Sequence, residues 1–163
     1  TSPFGPRWRR MHNGLDLKVN IGDTIVLLSA WMIGGVYGAL AAGIGSALSD
    51  FISGYGSYVP GTFVIKFLMA LVAYLVFVTI KKANTKDSKG MNVVAYIVSG
   101  VVAEVIMVLG YFLYESTLLG YGLGAVPSIG SNSIQGVTCL VLGFIAIFAL
   151  EEAKVTKLVK KFV

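Results

Sequence analysis

Charged residues are scarce in this chain of 163 residues: Asp, Glu, Lys and Arg together make 13%, about half of what a globular domain uses to cover its surface. With 56% apolar residues and a mean hydropathy of +0.80, a soluble fold is excluded and a membrane protein is left. Cysteine is almost absent too, since Cys139 is the only one and sits in an apolar run, so a disulfide scaffold is excluded. The sole histidine, His12, cannot by itself found a histidine-based metal or catalytic cluster. No G-x-x-x-x-G-K-[ST] segment is present, so ATP is not bound here through a Walker loop. The pair Glu151-Glu152 begins like a membrane-protease motif, but Thr156 stands where that motif needs Arg, and a charged helix end accounts for the pair. No nucleophile, base and orienter set is found, so neither an enzyme nor a cofactor is expected.

The shortage of acid leaves a net charge of +5, whose distribution argues against nucleic acid. Arg7, Arg9, Arg10 and Lys18 lie near the start, Lys81, Lys82, Lys86 and Lys89 in the middle, and Lys154, Lys157, Lys160 and Lys161 at the end. Each cluster flanks apolar sequence, as orientation-setting loops do. Of the thirteen basic residues Lys66 alone lies within an apolar segment.

Four apolar stretches, 25–52, 63–80, 93–119 and 134–150, are long enough to reach across a hydrocarbon core of about 30 Å. None alternates at period two, which excludes a β-barrel, so the fold class is an all-α integral membrane bundle. If the middle and final lysine clusters are cytoplasmic, residues 120–131 form an outer loop and residues 151–163 a helix continuing inward, with Val155, Leu158, Val159 and Phe162 on one face. The first stretch has two readings. As one span it gives four helices and an inner N-terminus, which the charge rule favours. Broken at Gly34-Gly35, where each Gly weakens a helix by about 1 kcal/mol, it gives five spans.

Within that stretch Gly35, Ala39, Gly43 and Ala47 recur every four residues, as do Gly34, Gly38, Ala42 and Ser46. Two nearly bare ribbons result, which admit a neighbouring backbone closely, from this chain or from a partner. Lys66 and Glu104 do not belong in lipid, where an ionisable group costs about 2.5–3.5 kcal/mol on insertion scales and is paired or turned to a cavity. Helical spacing places Glu104, Tyr111 and Glu115 on one face, which points to a polar pocket. Tyr55, Tyr58 and Pro60 before the second stretch, and Tyr121, Pro127, Ser128, Asn132, Ser133 and Gln135 before the fourth, add polar groups at its outer end.

Four separated blocks then occur in a recognisable order: Ile21-Gly22-Asp23-Thr24-Ile25-Val26-Leu27-Leu28, the run GVYGALAAGIGSALSD from Gly35 to Asp50, Thr62-Phe63-Val64-Ile65-Lys66, and Pro127-Ser128-Ile129 followed by Asn132 and Gln135-Gly136. Together they resemble the substrate-binding S component of energy-coupling factor (ECF) vitamin transporters, and most closely its hydroxymethylpyrimidine or pyridoxine subgroup. The resemblance implies the split reading, with spans at about 23–33, 36–52, 62–81, 92–119 and 131–152 and a helical tail at 153–163. These are the counterparts of helices two to six of a six-helix bundle. Residues 1–20 would be the outer loop after a first helix absent from this chain, the helix that carries the family's Ala-x-x-x-Ala-type docking surface.

What the resemblance implies about function is a multi-pass subunit of a bacterial plasma membrane that captures a small B-type vitamin or precursor on the outer side. A transmembrane coupling subunit of the EcfT type and two ATPase subunits, all separate chains, would supply the energy. The ligand would be held by Tyr58, Lys66, Glu104, Tyr111, Glu115, Asn132 and Gln135, with Trp8 and His12 as a lid. Two rival readings are a four-helix scaffold without a ligand, in which Lys66 neutralises Glu104, and an intramembrane enzyme working with carboxylates alone.

Overall fold

The computed structural model describes residues 21–162, and among these every regular element is helical. We label the α-helices α1 (Gly22–Met32), α2 (Gly35–Ile52), α3 (Val59–Ala83), α4 (Lys89–Leu113), α5 (Val126–Glu152) and α6 (Val155–Phe162). A π-turn, Tyr114–Leu118, extends α4, and a short 3₁₀ turn, Gly122–Ala125, leads into α5. The helices α2, α3, α4 with its π-turn, and α5 with the 3₁₀ turn are long and apolar enough to cross a membrane. The chain is a multi-pass membrane protein.

The first apolar stretch is broken at Gly34, where φ is +71° and a Cβ would lie 2.6 Å from the Tyr74 ring, so both the backbone and the close approach demand glycine. The break leaves α1 with eleven residues, about 16 Å of helix, only half a bilayer core. It is an interior element rather than a fifth full span, with Asp23, Val26, Leu27, Ala30 and Trp31 buried against α2, α3 and α5.

Helix starts and stops follow local chemistry. Pro60 and Pro127 stand in the first turns of α3 and α5, where a missing N–H costs nothing. Helix α5 therefore begins at Val126, inside the outer loop expected at 120–131, and Asn132 sits in its second turn. The tail is also a separate helix and no continuation of α5, because Lys154 adopts a left-handed backbone with φ +58° between them.

Small residues govern the packing, as they must where lipid offers no hydrophobic drive for helix association. Gly38, Ala39, Ala42, Gly43 and Ala47 of α2 are all buried. A Cβ on Gly43 would meet the Phe63 carbonyl oxygen at 3.0 Å and one on Gly38 the Ser29 carbonyl oxygen at 2.5 Å. Both ribbons of the sequence thus pack within the chain, on α3 and α1. Below the level of Asp23, Trp31 stacks on Phe144 and donates its indole N–H to the Ser99 hydroxyl at 3.0 Å, tying α1 to α5 and α4 across the core.

Candidate functional site

At the end of the bundle away from the Lys81–Lys89 loop, a cavity of about 500 Å³ opens between α1, α2, α3 and α4. Its α2 wall is almost bare: Ala41, Ala42, Gly45, Ser46 and Ser49 line it, and nothing stands within 4 Å of where a Gly45 Cβ would be. The recurrence of small residues in α2 therefore has a third use besides the two packing ribbons, which is to leave room.

The opposite wall is polar. Asp23 from α1 and Lys66 from α3 form an ion pair, both with side chains at most 5% exposed. Gln135 of α5 donates its amide to the other Asp23 oxygen at 2.6 Å, so both oxygens of that carboxylate have partners. The Lys66 ammonium also lies over the Tyr111 ring, 5.2 Å from its centroid, within the range of a cation–π contact. Nearer the mouth, the Thr62 hydroxyl donates its one proton to Asp50, which leaves it to accept a hydrogen bond from the Tyr111 hydroxyl at 3.0 Å. Asp23, Asp50, Thr62, Lys66 and Tyr111 all line the cavity. A lysine has three donors, and Asp23 engages one of those on Lys66, so the cavity presents ammonium donors at one point and carboxylate acceptors at Asp50.

The residues singled out from sequence fall into several environments. Lys66 and Tyr111 line the cavity, and Gln135 supports it from behind Asp23. Tyr58 and Glu115 pair with each other at 3.2 Å just outside it. Burial and the neighbouring Glu115 carboxylate push the Tyr58 phenol above its ordinary pKa. Glu104 lines a separate cleft against α5, so the shared helix face does not bring Glu104, Tyr111 and Glu115 together. The distance along α4 separates the first two, and the wider π-turn at Tyr114–Leu118 turns Glu115 toward Tyr58, as such turns re-aim side chains. Nor does Lys66 neutralise Glu104: its partner is Asp23. Asn132 is half-buried on α5 and does not line the cavity. Trp8 and His12 lie outside the described residues. Among the described residues no cluster of His, Cys, Asp and Glu could hold a metal ion.

Asp23, Asp50 and Thr62, which the sequence had not singled out, also line the cavity. For Asp50 the signal was available, because an ionisable residue inside an apolar segment marks a functional site by default; Asp23 stands two residues before the apolar stretch 25–52 and gave no such signal.

The sequence model of the ECF-type riboflavin transporter, S component, matches residues 11–152. The chain belongs to this family. This S component is also 33% identical over 126 residues to a curated protein of Pyrococcus woesei described as an uncharacterized protein in the gap 3' region, an alignment that covers 77% of this chain and 76% of that protein. No solved structure gives a significant match. Membership makes the chain a substrate-binding component of a transporter rather than an enzyme, and the all-helical bundle is of the kind that membership requires.

Proposed function

We propose that this S component captures a small heteroaromatic vitamin or vitamin precursor in the cavity between α1, α2, α3 and α4, as the receptor of an ATP-driven importer of a plasma membrane. By the charge rule the lysine-rich end faces the cytoplasm and the cavity faces outward. The observation that carries the reading is one hollow that combines a bare α2 wall with Lys66, Asp50, Thr62 and Tyr111. Its volume lies within the range of about 300–1,000 Å³ typical of small-ligand sites.

In this reading Lys66 donates to a ring nitrogen or carbonyl of the ligand, Asp50 accepts from an amino or hydroxyl group, and Tyr111 supplies an aromatic face. Asp23 and Gln135 position Lys66, and the Tyr58–Glu115 pair closes the outer rim. Two carboxylates against one ammonium select against ligands that bear a carboxylate or phosphate. Hydroxymethylpyrimidine and pyridoxine, the ligands favoured by the sequence blocks, satisfy that selection. So does riboflavin, which the family description names. A coupling subunit of the EcfT type and two ATPase subunits would complete the transporter.

The test is calorimetric titration of the purified full chain with hydroxymethylpyrimidine, pyridoxine and riboflavin, with biotin and pantothenate as anionic controls. Tight one-to-one binding of a neutral or basic ligand, weakened in Asp50→Asn and in Thr62→Val, supports the assignment. Binding of none of them, or preference for the anionic controls, refutes it.

A further inference from the structure

Helix α1 stops partway across the bilayer, and the Gly34 turn below it packs on Tyr74, nine residues before α3 ends at Ala83, about 14 Å of helix. The space beneath that turn is a cleft of about 430 Å³ on the lysine-rich side of the bundle. Met32 and Ile33 at the foot of α1, Tyr74, Phe77 and Val78 of α3, and Lys160 of α6 line it. It opens past Tyr37, which is 74% exposed near the start of α2, a helix long and apolar enough to cross a membrane. The opening therefore faces lipid.

The walls are aromatic and aliphatic, yet the charge at the cleft is all of one sign. Lys160 is exposed, and the Lys81 ammonium stands 5.7 Å from the centroid of the Phe77 ring in the cleft wall. No carboxylate lines the cleft, and among the described residues neither lysine forms an ion pair. Helix α6 accounts for the position of Lys160. The left-handed backbone of Lys154 turns the tail out of line with α5, and α6 then packs against α1. Its apolar side meets the bundle through half-buried Val155 and Val159, one turn apart, while Lys157, Lys160 and Lys161 are exposed. A basic amphipathic helix so placed lies along the boundary between headgroups and acyl chains.

We propose that the cleft beneath α1 holds one anionic phospholipid from the leaflet on the lysine-rich side, with an acyl chain against Ile33, Tyr74 and Val78 and its phosphate drawn to Lys160 and Lys81. In a bilayer, lipid fills an opening on the protein's lipid face, because an empty one forfeits the dispersion contacts of its lining. The incomplete column of α1 leaves room for a chain rather than a helix. Charge selects the headgroup: two lysines without a carboxylate favour a net negative lipid, whereas a zwitterionic one brings its own ammonium. The site lies at the end of the bundle opposite the vitamin cavity and is independent of it.

The experiment is native mass spectrometry of the purified full-length protein, titrated in detergent with phosphatidylglycerol or with phosphatidylcholine of the same chain length. One phosphatidylglycerol should bind about fivefold more tightly than phosphatidylcholine or better, and Lys160→Gln should weaken that first binding event about fivefold, the equivalent of the roughly 1 kcal/mol that one lysine contributes near an anionic surface. Lys86→Gln, in the loop between α3 and α4 and outside the cleft, should leave it unchanged. Val78→Trp fills the cleft without altering charge and should abolish the tight binding of a single lipid. Equal affinity for the two lipids, or wild-type binding in Lys160→Gln or in Val78→Trp, overturns the proposal. Equal losses in Lys86→Gln and Lys160→Gln also overturn it, since lipid would then be spread over the basic face. So does displacement of the lipid by glycerol 1-phosphate at the same concentration, because the occupant would then be a soluble phosphate. The comparison of the two lipids on the wild type needs no variant.

Discussion

Lys66 of α3 and Asp23 of the eleven-residue α1, 43 positions apart in sequence, are joined by a buried ion pair. The pair fixes α1 at the level of the cavity, and Gln135 holds the carboxylate from the third side. Buried pairs of this kind add little net stability but are costly to break, because the survivor is left charged and without a partner.

Lys66→Met should therefore lower the stability of the detergent-solubilised protein by about 3–5 kcal/mol. The double variant Asp23→Asn, Lys66→Met should recover most of that loss. Thermal unfolding of the three proteins checks both statements, and a single variant as stable as the wild type would mean that the pair contributes nothing.

Two glycines of α2 separate packing from vacancy. Gly38→Ala places a methyl against the Ser29 carbonyl and should destabilise by about 1–3 kcal/mol. Gly45→Ala meets open space and should be neutral or stabilising by up to about 1 kcal/mol. Gly45→Leu should keep the fold and yet weaken ligand binding about tenfold or more, about 1.4 kcal/mol, which calorimetry with whichever of the three candidate vitamins binds the wild type would detect.

The Tyr58–Glu115 contact gives a pH signature. The folded phenol titrates above its unfolded value of about 10, so its contribution to stability is complete below that pH and is lost as pH climbs beyond it. The unfolding temperature of the wild type should fall more steeply above about pH 10 than that of Tyr58→Phe. Parallel curves for the two proteins would show that the phenol carries no such linkage.

Much of the architecture was legible because hydropathy and charge act locally. The long helices and the lysines gathered at one end follow from residues near one another in the chain, whereas the break at Gly34 was one of two local readings, the one against the charge rule, and only the family resemblance implied it. The site was only partly legible. Lys66 announced itself by its charge in an apolar segment, but its partner sits on a helix too short to register as a span, and Asp23 read as a helix boundary. Glu115 lies in the π-turn Tyr114–Leu118 and pairs with Tyr58, a contact between distant segments that spacing along one helix does not show. The cavity itself is made by residues with little side chain, and emptiness between two helices has no signature in either one.

The eleven-residue length of α1 bears on biogenesis. A segment that short, carrying Asp23, Thr24 and Ser29, does not partition into lipid unaided. Translocation machinery that released helices singly would leave it stranded at the surface. Ser29 is satisfied within α1, but Asp23 meets Lys66 only once α3 is in place and Thr24 meets the Cys139 carbonyl only once α5 is. Assembly of the bundle is thereby ordered, with the cavity lined by Asp23 and Lys66 among the last parts to form.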